Sequence, residues 1–327
     1  MARLEGVPGD IALLTGPMLL GNFFGYGLFG ILVVQLFMYH YRFPKDPLWI
    51  KTLVWFLFVI DTLITVLATI AAWNMLAQGW GKPATLTPLD WPFGGIPLLS
   101  GLVASCVHFF FCWRLWKLRG AMLIPVIIAT ISLLTWATAS YCGIHGRSLG
   151  ILRLKSLKPY VIVWLGGSTL VDSLIAGYMV LILFQASSRT AFQATSSLLH
   201  KLITLTIETG LATGLAALAE LVLFIVFPEN NMHFIPFLML AKLYSNTLLA
   251  TLNARGLFHQ DAMDGSQVIP PPLWNDSSFS LPHHLQTRPL RDSMSGTGRT
   301  SGMADGESAQ TDGSVGFAMA VIKDSSS

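Results

Sequence analysis

The sequence has few charged residues. Asp, Glu, Lys and Arg make up only 11% of the 327 residues, whereas 53% are hydrophobic and the mean hydropathy is +0.60. Ordinary globular chains carry about 25% charged residues. This shortage argues against a soluble domain and predicts a membrane protein with the lipid bilayer as its surroundings. The net charge of +3 is small and scattered, so we expect no nucleic-acid partner.

Cysteine is also scarce, and the common catalytic motifs are missing. Cys106, Cys112 and Cys142 all lie in or beside apolar runs, whereas a disulfide framework needs paired cysteines in exposed loops. The sequence contains neither HExxH nor GxSxG. We therefore predict no disulfide, no metal, no cofactor and no catalytic residue, and we expect that the chain is not an enzyme.

Long apolar runs dominate what remains. Runs of about 20 apolar residues, enough to cross a bilayer as a helix, recur seven times. We place them at 16–41, 50–73, 95–116, 121–144, 160–185, 202–227 and 233–253. Their length excludes barrel strands, which alternate over about ten residues. The predicted fold class is an all-α integral membrane protein, a seven-transmembrane-helix bundle.

The predicted domains are three. Residues 1–15 form a short extracytosolic N-terminus, residues 16–255 the transmembrane domain, and residues 256–327 a tail. The tail is rich in Ser, Gly, Asp, Thr and Pro and offers little apolar surface, so we expect it to be disordered and to have at most a cytosolic partner.

The basic residues between the runs predict the orientation, because cytoplasmic loops carry an excess of Lys and Arg. Nine lie on the side of the first, third and fifth gaps and the tail, and six lie on the other side. This count favours an outside N-terminus, a cytosolic C-terminus and the plasma membrane rather than an endomembrane. The fourth gap opposes it, with Arg147, Arg153, Lys155 and Lys158.

Several ionisable residues fall inside the predicted helices. They are Asp61, His108, Asp172, Glu208, Glu220 and Lys242. A charge at the bilayer centre costs about 2.5–3.5 kcal/mol on insertion scales, so these residues should face the bundle interior, a cavity or one another. They form either a buried charge network or a site for a ligand or ion.

Lys242 is the unusual member, because it lies in an apolar helix near the membrane midplane. Glu220 lies at a similar predicted depth on the neighbouring helix and is its first expected partner, followed by Asp61 and Asp172. Ser245 and Asn246 follow Lys242 at helical spacing, so this polar side of helix seven should point inward.

Two glycine pairs have the GxxxG spacing that lets membrane helices approach closely. They are Gly21 with Gly25 in the first helix, and Gly210 with Gly214 in the sixth. We interpret both pairs as helix packing within the chain. A homo-oligomer formed through these faces is the alternative.

Four motifs together resemble a known family. RFPKDP, WLGGSTLVDSLIA, ETG and KLYSNTLLATLNAR look like a fungal, basidiomycete-type group of seven-helix membrane proteins catalogued as a domain of unknown function. The resemblance covers about residues 12–255. It implies that the signature residues here are Asp172, Glu208, Lys242, Tyr244, Ser245, Asn246 and Asn253. It implies the architecture and leaves the activity open.

Three functions fit these features. A receptor-like sensor suits seven helices with an outside N-terminus and a Ser/Thr-rich cytosolic tail. A proton- or ion-coupled transporter or channel suits charged residues near the midplane, although no inverted repeat is evident. A membrane scaffold is the third. We favour the sensor.

Overall fold

The computed structural model describes residues 11–79, 91–153, 157–189, 193–227 and 231–265. Within them it shows seven long α-helices. They are α1 (Ile11–Arg42), α2 (Leu48–Trp73), α3 (Trp91–Arg119), α4 (Leu123–Arg153), α5 (Lys158–Arg189), α6 (Gln193–Val226) and α7 (Phe234–Gly265). A π-helical segment, Asn74–Gln78, continues α2. No strand occurs in these ranges.

Each of these helices has an apolar span long enough to cross a membrane. The spans are Thr15–Arg42, Leu48–Gln78, Gly94–Arg119, Leu123–Gly146, Lys158–Gln185, Ile203–Val226 and Phe234–Arg255. The predicted fold class is confirmed, and the predicted runs agree with these spans closely. α7 continues as a helix to Gly265, past the predicted end of the transmembrane domain at 255. Most of the predicted N-terminal segment and of the tail lies outside the described residues.

α7 and α3 occupy the centre of the bundle. In the most apolar stretch of each helix, 78% of the residues are buried in α7 and 67% in α3, against 17% in α6. Each helix packs against its neighbour in the chain, and α7 closes the ring by packing against α1. α7 also contacts α2 and α3. A central helix is surrounded by protein rather than lipid, so it can carry polar side chains on more than one face.

The short turns between helices follow local chemistry. Gly120 ends α3 with a φ of 72°, and its N–H donates to the carbonyl of Trp116 at 2.8 Å. Glycine adopts this left-handed conformation without the penalty that a β-carbon adds. Between α1 and α2, Pro47 stands directly before the first turn of α2, where its fixed φ of −54° suits a helix start.

The glycine pairs lie at helix contacts inside the chain. A β-carbon at Gly21 would come within 2.8 Å of the Phe234 carbonyl oxygen of α7, and one at Gly210 within 2.8 Å of Ala176 Cβ in α5. Gly25 faces Leu238 of α7, and Gly214 faces Asp172 of α5. These contacts assign both pairs to packing between α1 and α7 and between α5 and α6. Homo-oligomerisation through the same faces stays a prediction.

Candidate functional site

A closed set of hydrogen bonds joins four helices in the middle of the bundle. His108 of α3 contacts the Ser132 hydroxyl of α4 through Nδ1 at 2.9 Å and the Asp172 carboxylate of α5 through Nε2 at 3.2 Å. The Tyr244 hydroxyl of α7 donates to the second Asp172 oxygen at 2.8 Å. Ser105 donates to the Ser132 carbonyl at 3.2 Å. We call His108, Ser132, Asp172 and Tyr244 the histidine cluster.

The histidine cluster is buried and well paired. His108 and Tyr244 each have a relative exposure of only 1%, and their rings meet edge to face with centroids 5.3 Å apart. Both Asp172 oxygens accept a hydrogen bond, and both His108 nitrogens have a partner. Because an unpaired polar atom is costly in a membrane interior, this completeness fixes the relative positions of α3, α4, α5 and α7.

A second polar set lies on the opposite side of α7. Lys242 is 1% exposed, and its side chain crosses α1 at Gly25, where a β-carbon would lie 3.8 Å from Lys242 Cε. Asp61 of α2 is fully buried and interacts electrostatically with Lys242 and with Ser245. We call Asp61, Lys242 and Ser245 the lysine cluster.

The lysine cluster is incompletely paired. Asp61 lies close to the Ser245 hydroxyl, but no hydrogen bond of good geometry joins them, and neither side chain has another hydrogen-bond partner among the described residues. A carboxylate left without hydrogen bonds in a buried place is unfavourable unless a neighbouring cation or a trapped water compensates for it. The ammonium of Lys242 supplies that compensating charge.

Asparagines continue the same face of α7 along α1. The Asn246 side chain donates to the Leu28 carbonyl at 3.0 Å and to the Lys242 carbonyl at 2.7 Å. Seven residues on, Asn253 donates to the Gln35 carbonyl at 2.9 Å. The stripe predicted from Lys242 through Asn246 therefore points inward as expected, and its partner is the backbone of α1.

Two acids belong to neither cluster. Glu220, the first expected partner of Lys242, lines a pocket bordered by α3, α4, α5 and α7 instead, and Asp61 is the acid whose charge acts on Lys242. The sequence predicted similar depths for Glu220 and Lys242, but it could not show how α6 is rotated. That rotation directs the Glu220 side chain to another face of the bundle. Glu208 is exposed on the outside of the bundle and joins neither cluster.

The pocket that holds Glu220 lies where the apolar spans of α3, α5 and α7 begin and those of α4 and α6 end. It encloses about 600 Å³, including its mouth. Its lining is mostly apolar, with Trp164, Phe224, Phe234 and Phe237 among the walls, and Glu220 and His233 are its charged or polar side chains. We call it the terminal pocket. The neighbouring segments 154–156 and 228–230 lie outside the described residues.

Glu220 connects the terminal pocket with the histidine cluster. Tyr244 interacts electrostatically with Glu220 as well as with Asp172. Phe237 in the pocket wall and Tyr244 are seven residues apart on α7, so they share one face at a separation of about 10 Å. The histidine cluster therefore lies deeper in the bundle than the pocket, on the side of α7 that faces away from Lys242.

A smaller cavity of about 350 Å³ adjoins the histidine cluster. His108, Asp172 and Tyr244 line it on one side, and Thr206, Thr209 and Thr213 of α6 on the other. The three threonine hydroxyls add hydrogen-bonding groups within reach of a small polar occupant. Among the residues that the structure describes, no group of three or more His, Cys, Asp and Glu side chains could hold a metal ion.

The opposite end of α7 is held by an ion pair. Arg255 binds Asp46 of the α1–α2 turn with both of its terminal nitrogens, one of them at 3.2 Å from Oδ1. Tyr39 donates to the same carboxylate at 3.0 Å, and the guanidinium lies 4.3 Å from the centre of the Phe43 ring. The motifs RFPKDP and KLYSNTLLATLNAR therefore meet through Asp46 and Arg255.

The comparison with known families points to the same helices. Residues 168–256 match the model of a family of unknown function, DUF6534. The matched segment covers most of α5 together with α6 and the transmembrane part of α7, and it contains Asp172, Glu220, Lys242 and Tyr244. This similarity supports the resemblance to a family of unknown function over residues 168–256 and indicates no activity. No curated protein and no solved structure matches the chain.

The sequence alone did not place Ser132 in the site, and Tyr244 appeared only among the signature residues implied by the family resemblance. Serine and threonine are frequent in membrane helices, and most here only bond the carbonyl four residues earlier, as Thr62 does with Phe58 at 2.8 Å. Nothing distinguishes Ser132 from them. Tyr244 did leave a signal, because it stands two residues after Lys242 and therefore on the other face of the helix. Polar residues on two faces of one apolar helix indicate that protein surrounds it.

Proposed function

We propose that this protein is a receptor-like sensor in which occupancy of the terminal pocket changes the position of α7. One observation carries the proposal: Glu220 lines the pocket and lies near enough to Tyr244, a member of the histidine cluster, for its charge to act on the tyrosine hydroxyl. A change of charge or contact at Glu220 acts on a hydrogen bond shared by α5 and α7. Because α7 is central, its displacement reaches the far end of the bundle at Asp46 and Arg255.

The orientation belongs to the same proposal. With an outside N-terminus, the terminal pocket opens on the extracytosolic side and the Arg255–Asp46 pair lies at the cytosolic side, as a plasma-membrane sensor requires. The nine basic residues of the cytosolic side include Arg114, near the end of the third helix. Arg114 is buried at 1% exposure, and without it the count is eight against six. A glycosylation reporter at Asn275 tests the orientation: modification there in cells would place the tail in the lumen and reverse it.

A fluorescent probe tests the transmission. Leu48 is 80% exposed and lies two residues after Asp46, so a cysteine at Leu48 carries an environment-sensitive fluorophore beside the ion pair. The three native cysteines are replaced by alanine. Glu220→Gln should shift the emission of this probe in lipid nanodiscs. The matched control is Glu208→Gln, on the same helix but exposed to lipid, and it should leave the emission unchanged.

Proton-coupled transport is the second candidate, because the hydrogen bonds from Ser132 through His108 and Asp172 to Tyr244 form a chain of exchangeable protons next to a cavity. Liposomes with an entrapped pH dye separate the two proposals. A sensor gives no proton flux above that of empty liposomes. Flux that disappears in Asp172→Asn, together with an unresponsive probe at residue 48, would replace the sensor by a transporter.

The remaining parts of the proposal rest on the sequence. The absence of HExxH and GxSxG supports a protein without enzymatic activity, and the composition of the tail supports a cytosolic interaction segment. The fungal, basidiomycete-type origin rests on the resemblance of the four motifs. A membrane scaffold would also fit the tail, but it would not need the terminal pocket.

A further inference from the structure

The terminal pocket combines an aromatic wall with one buried acid. Trp164 of α5 and Phe237 of α7 meet nearly edge to face, with centroids 6.4 Å apart. Phe224 of α6 packs edge-on against His233 at 5.3 Å. These rings border a space that also reaches Glu220. A concave site with a mostly apolar lining and a few placed polar groups is typical of small-molecule sites.

Glu220 is buried without the partners that the other membrane acids have. It is 3% exposed, and its Oε2 atom has no hydrogen-bond partner among the described residues. Asp172, in contrast, accepts from His108 and Tyr244, and Asp61 has Lys242 beside it. Glu220 is therefore the buried acid whose position next to a cavity leaves room for a partner from outside the chain.

The aromatic wall and the buried Glu220 carboxylate together indicate the chemistry of that partner. A carboxylate in an apolar setting favours a cation that also donates hydrogen bonds, since charge-assisted bonds are about twice as strong as neutral ones. Aromatic faces attract the same ammonium groups and accept the apolar remainder of the molecule. A ligand anion would meet the Glu220 carboxylate with only the His233 imidazole beside it, and a plain hydrocarbon would leave Oε2 unpaired.

We propose that the terminal pocket binds a small amphiphilic amine, with its ammonium on Glu220 and its apolar group among Trp164, Phe224 and Phe237. The inference names the ligand class of the proposed sensor and in that respect rests on it. The depth is suitable: Glu220 lies six residues before Val226, the end of the apolar span of α6, so the ammonium sits about 9 Å from that end.

Three probes of equal size test the charge requirement. They are 4-phenylbutylammonium, 4-phenylbutanol and 4-phenylbutanoate, titrated into the full-length protein in lipid nanodiscs and followed by calorimetry. The ammonium should bind at least about tenfold more tightly than the alcohol, because it adds charge to the hydrogen bond. The carboxylate should not bind measurably. Equal binding of the ammonium and the alcohol would overturn the proposal.

Matched variants test the position. Glu220→Gln keeps the shape and removes the charge, and it should weaken ammonium binding at least about tenfold while leaving alcohol binding unchanged. Glu208→Gln removes an acid of the same helix outside the pocket, and it controls for partitioning of the probes into lipid. If the ammonium binds Glu220→Gln as tightly as the parent protein, Glu220 is not its counter-charge and the inference is wrong.

A second variant guards against misfolding of Glu220→Gln. Gly146 lines the pocket, and a β-carbon there would meet only Leu157 Cδ1, at 3.6 Å. Gly146→Leu therefore extends a side chain into the space with Glu220 intact and should abolish ammonium binding. Undiminished binding in this variant would place the amine elsewhere.

The two proposals can fail separately. Ammonium binding that depends on Glu220 but does not shift the fluorophore at residue 48 would keep the ligand class and reject the sensor. A fluorophore that responds to Glu220→Gln, in a protein that binds none of the three probes, would keep the sensor and reject the ligand class.

Discussion

The two polar clusters on α7 are both buried, but they differ in how many of their polar atoms have hydrogen-bond partners. In the histidine cluster, both Asp172 oxygens and both His108 nitrogens have hydrogen-bond partners. In the lysine cluster, the two Asp61 oxygens and the Ser245 hydroxyl have none among the described residues, and the ammonium of Lys242 is the compensating charge. The histidine cluster is held by direct hydrogen bonds between side chains and the lysine cluster by an electrostatic pair, whereas Asn246 and Asn253 bind the same face of α7 to the backbone of α1.

This difference separates two ways of placing polar groups in a membrane bundle. A closed set of hydrogen bonds has directional contacts and defines one arrangement of its helices. A charge pair without direct bonds tolerates displacement, because its attraction falls off gradually with distance. We infer that the α3–α5 face fixes the position of α7, whereas the contact of Lys242 with Asp61 of α2 can adjust when the helix moves.

The largest predicted effect concerns the lysine cluster. Removing one partner of a buried ion pair typically costs about 3–5 kcal/mol, whereas replacing both by apolar groups can be nearly neutral. We therefore expect Lys242→Met and Asp61→Leu each to lower the free energy of unfolding by about that amount, and the double variant to recover most of it. SDS titration in mixed micelles measures all four corners of the cycle.

A second cycle serves as the control for the first. Glu220→Leu with Lys242→Met should be additive within about 0.3–0.5 kcal/mol, since the two side chains face different sides of the bundle. Strong coupling between Lys242 and Glu220, with additivity between Lys242 and Asp61, would identify Glu220 as the partner of Lys242. It would contradict the assignment of Lys242 and Asp61 to one cluster.

The sequence could predict the depth of these residues but not their direction. Run length and hydropathy located all seven spans to within a few residues. In a soluble helix, the polar stripe also shows which way a helix is rotated. In a membrane helix, lipid-facing and core-facing residues are both apolar, so the stripe is lost. Depth alone therefore ranked Glu220 ahead of Asp61 as the partner of Lys242, and the rotation of the helices reverses that order.

The terminal pocket was beyond prediction for a related reason. Its walls come from the ends of five helices that are distant in sequence, and most of its residues are ordinary apolar ones. Glu220 was the one pocket residue that we had singled out in the sequence, and its predicted depth suggested Lys242 as its partner rather than a pocket. The inward stripe of α7 could be predicted because Lys242, Ser245 and Asn246 follow helical spacing on one central helix.

A smaller effect is expected from opening the histidine cluster. Tyr244→Phe removes the donor to one Asp172 oxygen, and hydrogen bonds to charged groups contribute about 1.5–3 kcal/mol. We expect a loss of about 2 kcal/mol in the free energy of unfolding. Tyr26→Phe is the control with the same chemical change, because its hydroxyl meets Thr69 at 2.9 Å on the exposed surface. An equal effect of both variants would mean that the histidine cluster is no more important than a surface contact.

The smallest effect concerns the contact that closes α1 over the lysine cluster. A β-carbon at Gly21 would lie 2.8 Å from the Phe234 carbonyl oxygen and 3.0 Å from Leu238 Cδ1, so Gly21→Ala must push α1 away from α7. Overpacking costs about 1–3 kcal/mol, and replacing a helical glycine by alanine returns about 0.5–1 kcal/mol. The net loss should be about 1 kcal/mol. Gly27→Ala, with nothing within 4 Å of its β-carbon, should be neutral or slightly stabilising.

Gly21→Ala also tests which face of α7 changes when α1 is displaced. Because Gly21 lies one turn before Gly25, which contacts the stem of Lys242, the loss from Gly21→Ala should be non-additive with Asp61→Leu. It should be additive with Tyr244→Phe, whose cluster lies on the other side of α7. Non-additivity with Tyr244→Phe would show that the histidine cluster moves with α1 and that the two faces act as one. If Gly21→Ala instead left the free energy of unfolding unchanged and abolished a dimer in light scattering, the glycine pair would serve a second copy of the chain.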